Sequence, residues 1–320
     1  MQAIVIQDGQ LQYVPDYPQP EPAPGEALIK ILVAGICSTD LEIIRGYGDL
    51  QGVLGHEFVG VVEAVAKDED AGWIGRRVVG TISLGCQTCH ECLSRGFAHC
   101  PNRTTVGIIG RDGVFADYVC LPVANLLEVP ESVAPEAAVF TEPLAAALRI
   151  REQIRIPPGQ EMAVIGPGRL GLLVGLVLAL DGSPVRMLGR SLRSLDLPAM
   201  LGLATGLTQD FPDNQYDFVV EVTGNAAGFA EALRLVRPLG TMVLKSTFAG
   251  DVNFNLTKLV VSEINLVGSR CGPFAPALRL LAQGVIPTNA LVEATYPLAH
   301  GLDALTHAAR PGVRKVLLYP

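Results

Sequence analysis

A chain of 320 residues exceeds what one ordinary hydrophobic core supports, and 49% hydrophobic with 18% charged residues describes a globular protein, so two domains are expected. The net charge of −8, with no cluster of Lys and Arg, argues against nucleic acid as a partner. No apolar run approaches the roughly 20 residues that span a bilayer, and the start MQAIVIQDGQ lacks a basic segment followed by an apolar one, so no membrane partner and a cytoplasmic location are expected.

In chain order, short β-rich runs come first: AIVI at 3–6, EALIKILVAG at 26–35 and EFVGVVEAV at 57–65, interrupted by a Pro-rich stretch at 15–24. A cysteine-bearing loop fills 84–101, and Ala116 to Leu121 and Leu126 to Val129 continue the β pattern. From about residue 136 the texture alternates between helix and strand. The strands are AVI at 163–165, PVRML at 184–188, FVVEV at 218–222, TMVLK at 241–245 and NLVGS at 265–269. Short apolar strands alternating with helices predict a parallel, doubly wound sheet. The leucine-rich stretch 169–180 is too short to span a membrane and reads as a buried helix. The tail from about 296 returns to β-like runs, ending in VRKVLLYP, and is expected to rejoin the first domain.

Four of the seven cysteines, Cys86, Cys89, Cys92 and Cys100, form a CxxCxxCx7C pattern in one loop. That spacing lets four thiolates converge on a tetrahedral ion and leaves no open position, so a structural zinc is expected rather than disulfides or a reaction centre. His90 and His99 read as bystanders. Cys37 in GICSTD, His56 in LGHEFVG and Glu142 in TEPLA each flank an apolar segment, and three such ligands would suit an open catalytic zinc site. Taken singly, each of these three residue types is more often structural or solvated.

VIGPGRLG at 164–171 sets Gly166, Gly168, Arg169, Leu170 and Gly171 between a predicted strand and a predicted helix as a GxGxxG turn. The glycines permit a tight turn and close approach to a pyrophosphate, and the helix start supplies partial positive charge. The acidic residue expected about twenty positions on, which would bind ribose hydroxyls, is absent from MLGRSLRS. Gly189 leaves room there, and Arg190, Ser191 and Arg193 could hold a 2′-phosphate, which favours NADP(H) over NAD(H).

In this order, GICSTD, GHEFVGVVEAV, the four-cysteine loop, TEPLA and VIGPGRLG resemble the zinc-containing medium-chain dehydrogenase/reductase superfamily over nearly the whole chain. The resemblance implies a GroES-like β-domain (1–145 and 286–320), a Rossmann domain (146–285) and an active site in the cleft between them. It implies Cys37, His56 and Glu142 as catalytic zinc ligands, with Glu57 as their neighbour or an exchangeable ligand. Thr39 matches the hydroxyl that relays the substrate's proton, and Glu42 stands where many members carry a relay histidine. Thr223 and Gly224 of EVTGN match residues near a cofactor ribose, and Arg314 resembles a pyrophosphate-binding arginine. The implied activity is hydride transfer between an alcohol, polyol or sugar and NADP(H), in a homodimer or homotetramer. The alternatives are a zinc-free quinone or enone reductase on the same fold, and a catalytically silent nucleotide-binding protein.

Overall fold

The computed structural model describes residues 1–247 and 251–320. The chain forms two compact units, one from Met1–Glu142 with Phe274–Pro320, the other from Pro143–Pro273. The helix Phe274–Ala282 begins the return to the first unit, burying Phe274, Ala277, Leu278 and Leu281 along one face.

In the first unit, EALIKILVAG forms the strand Glu26–Gly35, buried at most positions because it is flanked on both sides within its sheet. One neighbour is Glu57–Val65, antiparallel, with Gly35 opposite Glu57. Two more antiparallel partners are Tyr118–Pro122, along Glu26 to Lys30, and the return strand Lys315–Tyr319, with Gly35 opposite Leu317. Chain segments some 280 residues apart therefore meet at the end of one strand, beside Cys37. Leu126–Glu128, Arg77–Gly80 and Val292–Pro297 complete this sheet. A second sheet pairs Ala3–Gln7 with Gln10–Val14 and Gly52–Val53.

The second unit is a six-stranded sheet, parallel throughout. Numbered within the unit, its strands run 3-2-1-4-5-6, the Rossmann order: Ala204–Leu207, Val185–Gly189, Met162–Ile165, Tyr216–Glu221, Val236–Leu244, Asn265–Gly268. Strand order reverses between Met162–Ile165 and Tyr216–Glu221, so their carboxyl ends open the crevice where such sheets bind ligands. The eleven-residue helix Arg169–Ala179 buries Leu172, Leu173, Val174, Val177 and Leu178, as expected of an apolar crossover helix packed on a sheet. Among the described residues, no helix is long and apolar enough to cross a membrane.

Candidate functional site

Cys86, Cys89, Cys92 and Cys100 converge: their sulfurs all lie within 4.8 Å of one another. Cys89 caps the short helix His90–Arg95, its sulfur accepting from the Cys92 amide at 3.4 Å, and Cys100 Sγ accepts from the Cys86 amide at 3.4 Å. The Cys89 and Cys100 sulfurs are 3.8 Å apart. Two sulfurs at ~2.3 Å from a tetrahedral ion would be about 3.8 Å apart, so this pair already stands at the separation a zinc ion requires. The Thr88 hydroxyl, 3.5 Å from Cys86 Sγ, helps pull that thiol down to about 5, while burial and the adjoining thiols push Cys92 up to about 12. Four neighbouring thiols cannot all ionise unless a cation neutralises them. The His90 ring is exposed and is not among the converging ligands.

A second convergence joins Cys37, His56 and Glu57, whose ligand atoms also lie within 4.8 Å of one another. Cys37 stands just before the helix Ser38–Ile44, where its amide donates to Asp40 Oδ2 at 2.8 Å. Asp40 Oδ1 in turn lies 3.0 Å from His56 Nδ1, an ion-pair approach rather than an aligned hydrogen bond. Both side chains are buried. Burial would discourage a charged His56, but the charges of Asp40 and Cys37 outweigh it and raise the imidazole pKa well above its ordinary value. With Nδ1 turned to Asp40, Nε2 is left to serve as a ligand, the orientation that a carboxylate behind a metal-binding histidine imposes.

Glu57 follows His56 in chain and is fully buried. Its Oε2 accepts from the Lys315 ammonium, which is itself buried and also donates to the Ile36 carbonyl at 3.3 Å. A Cβ on Gly35 would meet Glu57 Oε2 at 2.5 Å, so glycine is what admits this carboxylate. Glu57 Oε1 is buried with no hydrogen-bond partner among the described residues. Cys37, His56 and a buried carboxylate with a spare oxygen are a donor set that suits zinc.

Thr39 sits 3.8 Å from Cys37 Sγ through its hydroxyl oxygen and is partly exposed. Glu142 is half-buried at the second position of the helix Thr141–Gln153 and is not among the three residues whose ligand atoms mutually converge. The Glu42 carboxylate accepts from Arg45 at 2.6 Å near the surface. Sequence reasoning assigned no part in the site to Asp40 or Lys315. The signal for Lys315 was a lysine at the head of an apolar strand, which needs an anionic partner if it is buried.

In the second unit, Gly166 has a positive φ of 106°, and a side chain on Gly171 would collide with the Gly166 carbonyl. Gly168 caps the helix Arg169–Ala179, and a Cβ there would meet nothing within 4 Å, leaving its face open for a ligand. Arg169 and Leu170 are half-buried in the first turn. Beside this turn, buried Glu221 accepts from the Thr223 amide at 2.6 Å, the Thr223 hydroxyl at 2.5 Å and the Ser246 hydroxyl at 2.5 Å. Ser246 in turn accepts from the Gly224 amide at 2.9 Å. Thr223 and Gly224 are thus fixed by a carboxylate that sequence reasoning did not single out. A Cβ on Gly189 would meet Ser194 Oγ at 2.6 Å and Leu195 at 3.1 Å, so this glycine permits close packing of its own turn. Arg190, Ser191 and Arg193 stand exposed just past it. Arg314 is engaged in the first unit by Glu293 Oε2 at 3.2 Å and the Ala290 carbonyl at 2.9 Å.

Comparison with known families places two matches on this framework. Residues 23–131 match the alcohol dehydrogenase GroES-like domain, and residues 200–283 match the zinc-binding dehydrogenase family. The L-galactonate-5-dehydrogenase of Escherichia coli K12 is 30% identical over 297 residues, covering 88% of this chain and 87% of its own. The chain belongs to the zinc-containing medium-chain dehydrogenase/reductase superfamily. A second superfamily relative, the sorbitol dehydrogenase of Halalkalibacterium halodurans, is also 30% identical and covers 94% of each chain. Among solved members, a protein described as a zinc-binding dehydrogenase from Sinorhizobium meliloti 1021, bound to NADP, superposes with a TM-score of 0.90. It is 27% identical, over 100% of this chain and 99% of its own. The GroES-like and Rossmann architecture expected from sequence is the architecture of this superfamily.

Proposed function

We propose that this chain is a zinc-dependent oxidoreductase that moves a hydride between the CH–OH carbon of a polyol or sugar-like alcohol and a nicotinamide cofactor, with NADP(H) favoured. The observation that carries this reading is the convergence of Cys37, His56 and Glu57 beside the Thr39 hydroxyl. The polyol class is supported by the two relatives at 30% identity, which are a galactonate and a sorbitol dehydrogenase.

When bound, zinc supplies a Lewis acid that polarises the substrate oxygen and favours loss of its proton. Cys37 and His56 would hold it, with a carboxylate from Glu57 or Glu142 as the third protein ligand. Asp40 fixes the His56 ring, and Thr39 accepts the hydroxyl proton and passes it towards solvent. The open face at Gly168 admits the pyrophosphate at the helix start. Arg190, Ser191 and Arg193 bind the 2′-phosphate, and no carboxylate stands among residues 187–194 to repel it. The four-cysteine cluster holds a second, structural zinc. The protein self-associates through the exposed edge of the second unit's sheet.

The test is metal analysis of the purified protein together with turnover of polyols, aldonates and simple secondary alcohols with NADP and NAD. About two zinc ions per chain and polyol oxidation are expected. Enone reduction by a protein without zinc at Cys37 would overturn the reading in favour of the reductase alternative.

A further inference from the structure

We propose that Lys315 is a positioning residue for the metal centre: its buried ammonium holds the Glu57 carboxylate back from the cation and thereby sets how tightly the ion is retained. This rests on the reading of Cys37, His56 and Glu57 as a metal site. Lys315 and Glu57 are 3% and 0% exposed, so neither charge is balanced by water and each depends on the other. The ammonium is further fixed by the Ile36 carbonyl at 3.3 Å and by the Phe140 ring, 5.8 Å from its centroid. Gly35, opposite Glu57 on one side and Leu317 on the other, leaves the space in which the two groups meet.

The pair is asymmetric. Lys315 engages Oε2 alone, while Oε1 is buried and has no hydrogen-bond partner among the described residues, within a group whose ligand atoms converge. An anionic oxygen without a partner in a dry site is costly unless a cation faces it. Lys315 therefore shares Glu57 with the metal. The ammonium weakens the carboxylate's pull on the ion and adds its own repulsion, keeping one position at the ion available to substrate. The C-terminal strand, through Lys315, controls a residue 258 positions earlier in the chain.

A purely structural ion pair and this positioning role differ in sign. Lys315→Met frees Glu57 to bind the ion, so zinc should leave for a chromogenic chelator about tenfold more slowly than from the wild type. Glu57→Gln leaves Lys315 unopposed beside the site, so zinc should leave about tenfold faster. The double variant, with both charges removed, should return towards the wild-type rate. The release phase is assigned to this site by repeating it in a Cys37→Ser background, where it should vanish. If the single variants change the rate in the same direction, or not at all, the inference falls. Should Lys315→Met fail to fold, Glu57→Gln and the double variant suffice: equal release rates from these two would also refute it. Absence of any second zinc in the wild type would instead refute the metal site itself, which separates the two failures.

Discussion

Asp40 shows how a residue can lie inside a motif while its distant partner stays hidden in the sequence. Within GICSTD its capping position explains it locally, because the Cys37 amide donates to its Oδ2. Its other oxygen faces His56, sixteen residues on, and only the antiparallel pairing of Glu26–Gly35 with Glu57–Val65 makes them neighbours. Lys315 and Glu221 were hidden in the same way, each a charge whose partners are assigned by topology. Asp40→Asn preserves shape but removes the negative charge behind the imidazole. We expect zinc affinity at the Cys37 site to fall about 10- to 100-fold with an unchanged circular dichroism spectrum. Competition with a chelator of known affinity measures it, and unchanged affinity would return Asp40 to a capping role. The GxGxxG turn was legible because its glycines answer to local sterics alone, whereas the missing ribose acid could be read only as a gap filled by arginines. Replacing Arg190 and Arg193 together by Ala should lower kcat/KM for NADP about tenfold or more, about 1.4 kcal/mol of transition-state binding. NAD turnover should change little; equal losses for both cofactors would reject the 2′-phosphate assignment.

At the scale of elements, strands bounded by turn residues were readable wherever burial reinforces local propensity. The runs at 26–35 and 57–65 form strands over those residues, and the run at 163–165 gains one residue to become Met162–Ile165. Their order within a sheet was not readable, since the strand Glu26–Gly35 takes partners from both ends of the chain. The four-cysteine loop is the opposite case: its ligands lie within one short segment, so spacing alone specified the convergence that the structure displays. Between Leu84 and Cys100 its regular structure amounts to one short helix and one turn, too little apolar packing to hold the loop by itself. Metal must then supply the order. Cys100→Ser removes the most buried of the four ligands and should lower Tm by about 10 °C, on the order of 3 kcal/mol for a domain of this size. A strong zinc chelator should lower the wild-type Tm by a similar amount yet shift the variant's structural transition little further. A variant that melts with the wild type would mean that the loop folds without metal.

For the whole molecule, the composition of the two units leaves one surface unexplained by folding. The strand Asn265–Gly268 ends the six-stranded sheet among the described residues, with no further strand paired to its outer side, where Gln153 bonds the Gly268 carbonyl and Leu266 is 39% exposed. Protective features of a solitary edge, such as a lysine or a proline, are absent from NLVG. Nearby in the same part of the sheet, Leu239, Leu256, Val260 and Val261 are each at least 65% exposed, and the Leu239 amide bonds the Ser262 carbonyl that follows them. An edge that can extend a sheet, flanked by this much exposed apolar surface, is poorly suited to water and well suited to a second copy of the same chain. A two-fold pairing of this kind closes on itself, whereas a head-to-tail contact would propagate. Leu266→Lys places a charge in the proposed seam and should convert the assembly to monomers in light scattering at micromolar concentration, with each unit's secondary structure retained. Zinc content at Cys37 should stay constant, since that site is built within the other unit. A wild-type protein that is already monomeric, or a Leu266→Lys variant that assembles as before, would assign this edge no part in association.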